Sequence, residues 1–255
     1  MRRLLILGSL LGALLFIPSL GQALELLTNG SLDNPGLHEM DLATGWTLLE
    51  EPAGNTATFV TFADHTQLLT GVGAVGLWLR GFEGTTFQDP RPPVDAHLYQ
   101  DVPGTPGLTY TMAGWARFEA NWAGGFDFLP SGGTLEPPVP PRWPAGTPSP
   151  TRTEFALEFL DVGNSVLAGS VVFDLHDDLG QTNDSQWHQH VLMAVAPPGT
   201  VNVRVRASMV DGVNSDANPQ SAFFDDFSLR AVPEPDAQAL ALIGIGALGL
   251  RRRRR

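Results

Sequence analysis

Val201-Asn202-Val203-Arg204-Val205-Arg206-Ala207-Ser208 alternates aliphatic and polar side chains without a break. Successive side chains of an extended chain point to opposite faces. Val201, Val203, Val205 and Ala207 therefore share one face, and Asn202, Arg204, Arg206 and Ser208 the other, the pattern of a strand with one buried and one wetted side. Phe155, Leu157 and Phe159 against Glu154, Ala156 and Glu158 repeat it. Working outward, short runs of the same kind predict strands at 58–62, 74–79, 97–102, 108–118, 153–161, 166–173, 186–195, 201–209 and 222–229. They are separated by Gly, Pro, Asn and Asp and show no helical period. Half-buried strands in this number predict an all-β fold, an antiparallel β-sandwich of the jelly-roll type.

The two ends read differently. Met1-Arg2-Arg3, the apolar run 4–17 and Gly21-Gln22-Ala23 have the order of a cleaved signal peptide, expected over residues 1–23. At the other end Pro233-Glu234-Pro235 is followed by the apolar run 237–250 and by five arginines, Arg251 to Arg255. Fourteen apolar residues make a helix of about 21 Å, short of the ~30 Å hydrocarbon core. Gly244, Gly246 and Gly249 weaken it further, while the arginines hold it from the cytoplasmic side. Transient insertion in the inner membrane is expected, with the preceding domain, 24–231, outside. Residues 232–255 resemble the PEP-CTERM sorting signal. That resemblance implies export, removal of the tail by a membrane protease of the exosortase type, and delivery to the cell surface or extracellular matrix.

Charge is recounted without these ends. Seven of the fifteen basic residues are Arg2, Arg3 and the terminal five, so 27 acidic residues face 8 arginines, a net of −19, and no lysine is present. Such a surface repels phosphate backbones, excludes nucleic acid as a partner and favours cations. Without cysteine no disulfide holds the exported fold.

Several short motifs then fall in order: Leu26-Leu27-Thr28-Asn29-Gly30-Ser31-Leu32-Asp33, Gly45-Trp46, Tyr99-Gln100-Asp101-Val102, Pro106-Gly107-Leu108-Thr109-Tyr110-Thr111, Trp187, Ala196-Pro197-Pro198-Gly199 and Phe223-Phe224-Asp225-Asp226-Phe227-Ser228-Leu229. Together they resemble the galactose-binding-like jelly rolls of carbohydrate-binding module families 4/9 and 22. The chain departs from that pattern where Leu32-Asp33 replaces Phe-Glu, and in a Pro-rich insertion at 125–150. The resemblance implies a structural Ca²⁺ held by Asp33 and Asp225 with backbone carbonyls, and a sugar ligand.

Read from the residues alone, Asp225 alternates onto one face with Phe223, Phe227 and Leu229, so it is expected to be hydrogen-bonded, protonated or bound to a cation. Trp78, Trp115, Arg117, Glu154, Glu158, Arg204 and Arg206 are the polar-face candidates for polysaccharide binding, because sugar rings offer apolar faces and hydrogen-bonding edges. Trp46 and Trp187 are expected to hold the core or its rim. Glu154 and Glu158, about 13 Å apart on one strand, are too far for glycoside hydrolysis. They are expected to form solvated ion pairs with Arg204 and Arg206 across the sheet. His188-x-His190, with His176, is the remaining metal candidate. No Gly-x-Ser-x-Gly elbow, Walker loop or His-Glu-x-x-His is present. The expected function is a non-catalytic polysaccharide-binding module, with a structural or adhesive surface protein as alternative and a glycan hydrolase as a distant one.

Overall fold

The computed structural model of the chain describes residues 24–32, 44–51, 58–60, 76–80, 93–118, 120, 122, 124, 126–127, 145–212 and 221–232, with backbone placement alone at 58–60, 76–80, 94 and 221. Among these residues ten strands follow in order: β1 (Thr47–Glu51), β2 (Thr58–Val60), β3 (Gly76–Arg80), β4 (Val94–Pro103), β5 (Thr109–Phe118), β6 (Arg152–Leu160), β7 (Val171–Asp174), β8 (Trp187–Val195), β9 (Asn202–Gly212) and β10 (Ser221–Val232). They form two five-stranded antiparallel sheets, β1-β4-β9-β6-β7 and β2-β3-β10-β5-β8, named here the β9 sheet and the β10 sheet.

The two sheets enclose one core. Phe155 of β6 meets Phe224 and Phe227 of β10 at ring distances of 5.5 and 5.3 Å, and Tyr110 of β5 meets Phe159 of β6 at 6.0 Å. Val203, Val205, Ala207 and Met209 face inward as the alternation predicts, whereas Val201 precedes the strand and is exposed. With no disulfide, burial holds the sandwich, each enclosed Leu, Val or Phe contributing roughly 1.5–3 kcal/mol.

All nine expected strands are present. The 166–173 run shortens to β7, because Gly169, at φ 99°, turns the chain and Val166 keeps only a bridge to Leu160. β1 was not anticipated: Thr47-Leu48-Leu49-Glu50-Glu51 carries too little β-branched character to signal a strand, yet it pairs along its whole length with β4.

The N-terminal motif completes the β10 sheet. β3 pairs only with the first four residues of β10, and the chain around Glu25–Gly30 takes the vacated side. The Leu26 amide donates to the Leu229 carbonyl at 2.9 Å, and the Phe227 amide to the Gly30 carbonyl at 2.8 Å. A Cβ on Gly30 would lie 2.1 Å from the Phe227 carbonyl oxygen, so no larger residue fits there. Trp46 packs on Phe227 at 5.1 Å and donates from Nε1 to the Asn29 carbonyl, the core role expected of it.

β10 runs through Val232, one residue past the expected boundary. The two sides of the Pro-rich insertion meet at a neck, where Asp127 bridges to Pro148 and the Ser149 amide donates to the Phe126 carbonyl. The expected signal peptide, the apolar terminal helix, the rest of the insertion and Asp33 lie outside the described residues. Among the described residues no helix is long and apolar enough to cross a membrane.

Candidate functional site

β5 alternates strictly between buried and half-buried positions, which sends Trp115 and Arg117 to the outer face of the β10 sheet. Directly paired residues of an antiparallel ladder share a face. Arg117 lies between Phe223 of β10 and Trp187 of β8; Trp115 lies between Asp225 and Gln189. Trp78 stands opposite Phe223 in the register of β3 and β10, and its side chain lies outside the described residues. Trp115 and Trp187 are thus diagonal neighbours. Both are half-buried, and the Arg117 guanidinium lies 5.8 Å from the centre of the Phe223 ring. The two halves of this face differ. Phe223 and Asp225 are closed over, whereas Val191, Met193 and Val195 of β8 are more than half exposed.

The position of Asp225 corrects the sequence-based expectation. A bulge between Asp225 and Ser228, with Asp226 at φ 47°, adds one residue to β10 and inverts the alternation beyond it. Phe223 and Asp225 therefore face outward, while Phe227 and Leu229 enter the core. The Asp225 carboxylate accepts from the Asp226 amide at 2.8 Å.

Glu154, Glu158, Arg204 and Arg206 lie elsewhere, on the outer face of the β9 sheet. The seven polar-face candidates are not brought together: the sandwich separates Trp115 and Arg117 from the charged quartet by its full thickness. The pairing within the quartet also differs from the expectation. Arg206 takes both glutamates, Glu158 from Nη2 at 2.8 Å and Nε at 3.1 Å, and Glu154 from Nη1 at 3.5 Å. Arg204 instead forms a two-pronged bond to Asp101, at 2.7 and 2.9 Å, and lies 4.0 Å above the Tyr99 ring. That carboxylate raises the Arg204 pKa against the opposing effect of burial.

The Arg206 pairs are not solvated. Side-chain exposure is 12% for Arg206 and 8% for Glu158. Arg206 Nη1 also donates to the Ser208 hydroxyl and to His97 Nδ1. Burial, and then the Arg206 charge, lower the His97 pKa. A guanidinium therefore fills the space between the two glutamates, which a hydrolase would need for its glycosidic bond.

The histidines converge at the β8 start without forming a metal centre. His190 Nε2 donates to Gln181 Oε1 at 2.6 Å, His176 Nδ1 donates to the Gln181 carbonyl at 2.9 Å, and His188 bonds Asp184 at 3.0 Å. Burial, with a smaller effect of His188, pushes the His190 pKa down to about 4. Among the described residues no group of three or more His, Cys, Asp or Glu is placed to hold a metal ion.

Sequence reasoning passed over Trp187 as a surface residue and did not single out Gln189, Asp101 or His97. The signal was available for Trp187 and Gln189, which alternate with buried His190 and Leu192.

Residues 231–255 match the model of the PEP-CTERM protein-sorting motif. No curated protein matches the chain. Among solved structures, the fold is similar to the enzymatically active domain of tailspike protein 4 of bacteriophage CBA120, at TM-score 0.50 and 13% identity, over 82% of this chain and 21% of that one. It is also similar to a cyclase from Fischerella sp. TAU, at TM-score 0.50 and 14% identity, over 84% and 99% of the two chains. A Family 16 carbohydrate binding module is similar at TM-score 0.44 and 15% identity, over 80% and 98%. The chain spans about a fifth of the tailspike protein's length. At 13% and 14% identity the first two likenesses are of fold alone.

Proposed function

We propose that this chain, exported and sorted through its PEP-CTERM motif, is a non-catalytic surface module that binds polysaccharide weakly through the open half of the β10-sheet outer face. One observation carries the reading: Trp115 and Trp187 are half-buried diagonal neighbours on one outer sheet face, with Arg117 and Gln189 completing the square. Indole faces stack on the apolar faces of sugar rings, and the arginine and glutamine supply donors for the hydroxyl edges. Such a platform stacks only one or two rings, so the affinity falls between micromolar and millimolar, about −4 to −8 kcal/mol.

An exosortase-type membrane protease then acts on the tail, and the released module resides at the surface or in the matrix. The charged quartet of the β9 sheet is taken up in ion pairs, Arg206 with both glutamates and Arg204 with Asp101, and serves the fold, not the ligand. A structural Ca²⁺ belongs to the same reading. Asp225 supplies one buried carboxylate, the Gly30 carbonyl is docked on the Phe227 amide within the bulge, and the family resemblance assigns Asp33 as the second carboxylate. The ion would neutralise both carboxylates in an oxygen shell.

The test is a pull-down of the exported protein on a panel of polysaccharides, with Trp115→Ala and Trp187→Ala beside it. Each variant should lose binding while its melting temperature stays close to the parent's. A parent that binds no polysaccharide would instead favour a structural or adhesive surface protein. A parent that binds while both variants bind equally well would move the site off this face.

A further inference from the structure

The sandwich is electrically polarised along its strands. At one end the connections 104–108, 161–170 and 196–201 lie together: the Ala196 amide donates to the Leu108 carbonyl, the Gly104 amide to the Val201 carbonyl, and the Val201 amide to the Leu160 carbonyl, at 2.7–2.9 Å. In a chain of net charge −12 these three connections hold one charged residue, Asp161, whose carboxylate is turned onto the Gly163 and Ser165 amides. Apolar side chains stand out from the same end: Val162 is 90% exposed, Leu24 74% and Val166 54%, with Val201 and Val232 beside them. The opposite end gathers carboxylates, among them Asp95, Asp174, Asp177, Asp178, Asp184 and Asp211.

This charge-poor end, where the nearest ion pair is Glu25 with Arg230, is also where the chain leaves. β10 stays paired through Val232, opposite Thr109, and only Pro233-Glu234-Pro235-Asp236 separate it from the apolar run that starts at Ala237. Five steps of extended chain reach at most about 18 Å. The end that carries Val232 is held at that distance or less from whatever surface holds the tail.

We infer that the Val162–Val201–Val232 end of the sandwich is a membrane-apposing surface, whose apolar tips rest in the headgroup layer of the bilayer while the tail is inserted. The inference rests on reading residues 237–250 as a membrane-inserting segment. Charge selects the bilayer as partner. Anionic headgroups repel the aspartate-rich end and tolerate the charge-poor one, and exposed valine and leucine gain by leaving water. The domain therefore stands upright on its short tether with its acidic end outward, and Trp115 and Trp187, near the acidic end of β5 and β8, stand clear of the lipid on the side of the sandwich.

The chain contains no cysteine, so a single introduced thiol gives a unique label. Val162→Cys and Asp177→Cys place an environment-sensitive fluorophore at the two ends of the full-length exported chain. Each labelled protein is reconstituted with vesicles of phosphatidylethanolamine and phosphatidylglycerol that carry a lipid-attached quencher. The expected result is co-flotation with the vesicles and several-fold stronger quenching, with a blue shift, at position 162 than at 177. Co-flotation with equal quenching at the two positions overturns the orientation and leaves the anchor intact, pointing to the processing protease, not lipid, as what meets this end. Failure to co-float overturns the anchor and the orientation with it.

Discussion

His190 shows how a single side chain ties this fold to pH. It faces the core from β8, 6.1 Å from the Phe155 ring, and its proton is held by Gln181, so the neutral form is the one that fits. Its ordinary pKa is 6.5, and in the folded protein it falls to about 4. Above pH 6.5 neither state is charged and the folded protein suffers no penalty. As pH falls from 6.5 toward 4 the unfolded chain takes up a proton that the native chain refuses, so stability declines over that window. A shift of this size corresponds to about 3 kcal/mol in all, and most of it, roughly 2–3 kcal/mol, is lost by pH 4.5. Urea unfolding at pH 7 and pH 4.5 should show that loss in the parent and a smaller one in His190→Gln, which keeps a donor toward Gln181 and cannot titrate. Identical losses in the two proteins would mean that the titrating carboxylates alone govern the acid response. The same reasoning explains why His188-x-His190 resembles a metal motif without being one. The spacing sets both rings on one side of the strand, and the residues they meet, Asp184 and Gln181, come from a turn whose course no spacing rule foretells.

The strands themselves were legible, because alternation is a local property and nine of them announce it. What escaped was what one residue can do to a register. Phe223-Phe224-Asp225-Asp226-Phe227-Ser228-Leu229 alternates on paper as a single strand with Asp225 in the core; the bulge at Asp226 breaks the phase, and only the β5 partner reveals it. For the same reason the polar candidates of β5, β6 and β9 read as one face. Alternation says which side chains leave the core, but not which of two sheets they leave from, since that is fixed by pairings between distant strands. β10 carries a further consequence for calcium. Addition of Ca²⁺ should raise the melting temperature and a chelator should lower it, because an ion bound only by the native state adds its binding free energy to folding. Asp225→Asn should lose most of that response. Unfolding that ignores both reagents would leave Asp225 held by its hydrogen bonding alone.

As a whole molecule the protein joins a sorting tail to a sandwich through four residues, and the strand that carries the tail lies inside its sheet, not at the edge. β10 has β5 along one side, and β3 followed by the Glu25–Gly30 segment along the other. Tension drawn from an anchored tail against something held at the far end of the domain therefore runs along β10 and loads both of its ladders in shear. The hydrogen bonds share the force, and none can break until many do. A pull between Leu24 and Val232 acts differently, because Glu25 bridges to Arg230 in antiparallel fashion and both termini leave from one end. That geometry opens the N-terminal segment like a zip, one bond at a time. Single-molecule stretching should give a clearly higher rupture force between Val232 and a handle at Asp177→Cys than between Leu24 and Val232, and equal forces would deny the distinction. A domain built this way is mechanically strong along the line that joins its tether to its outer end and weak across it.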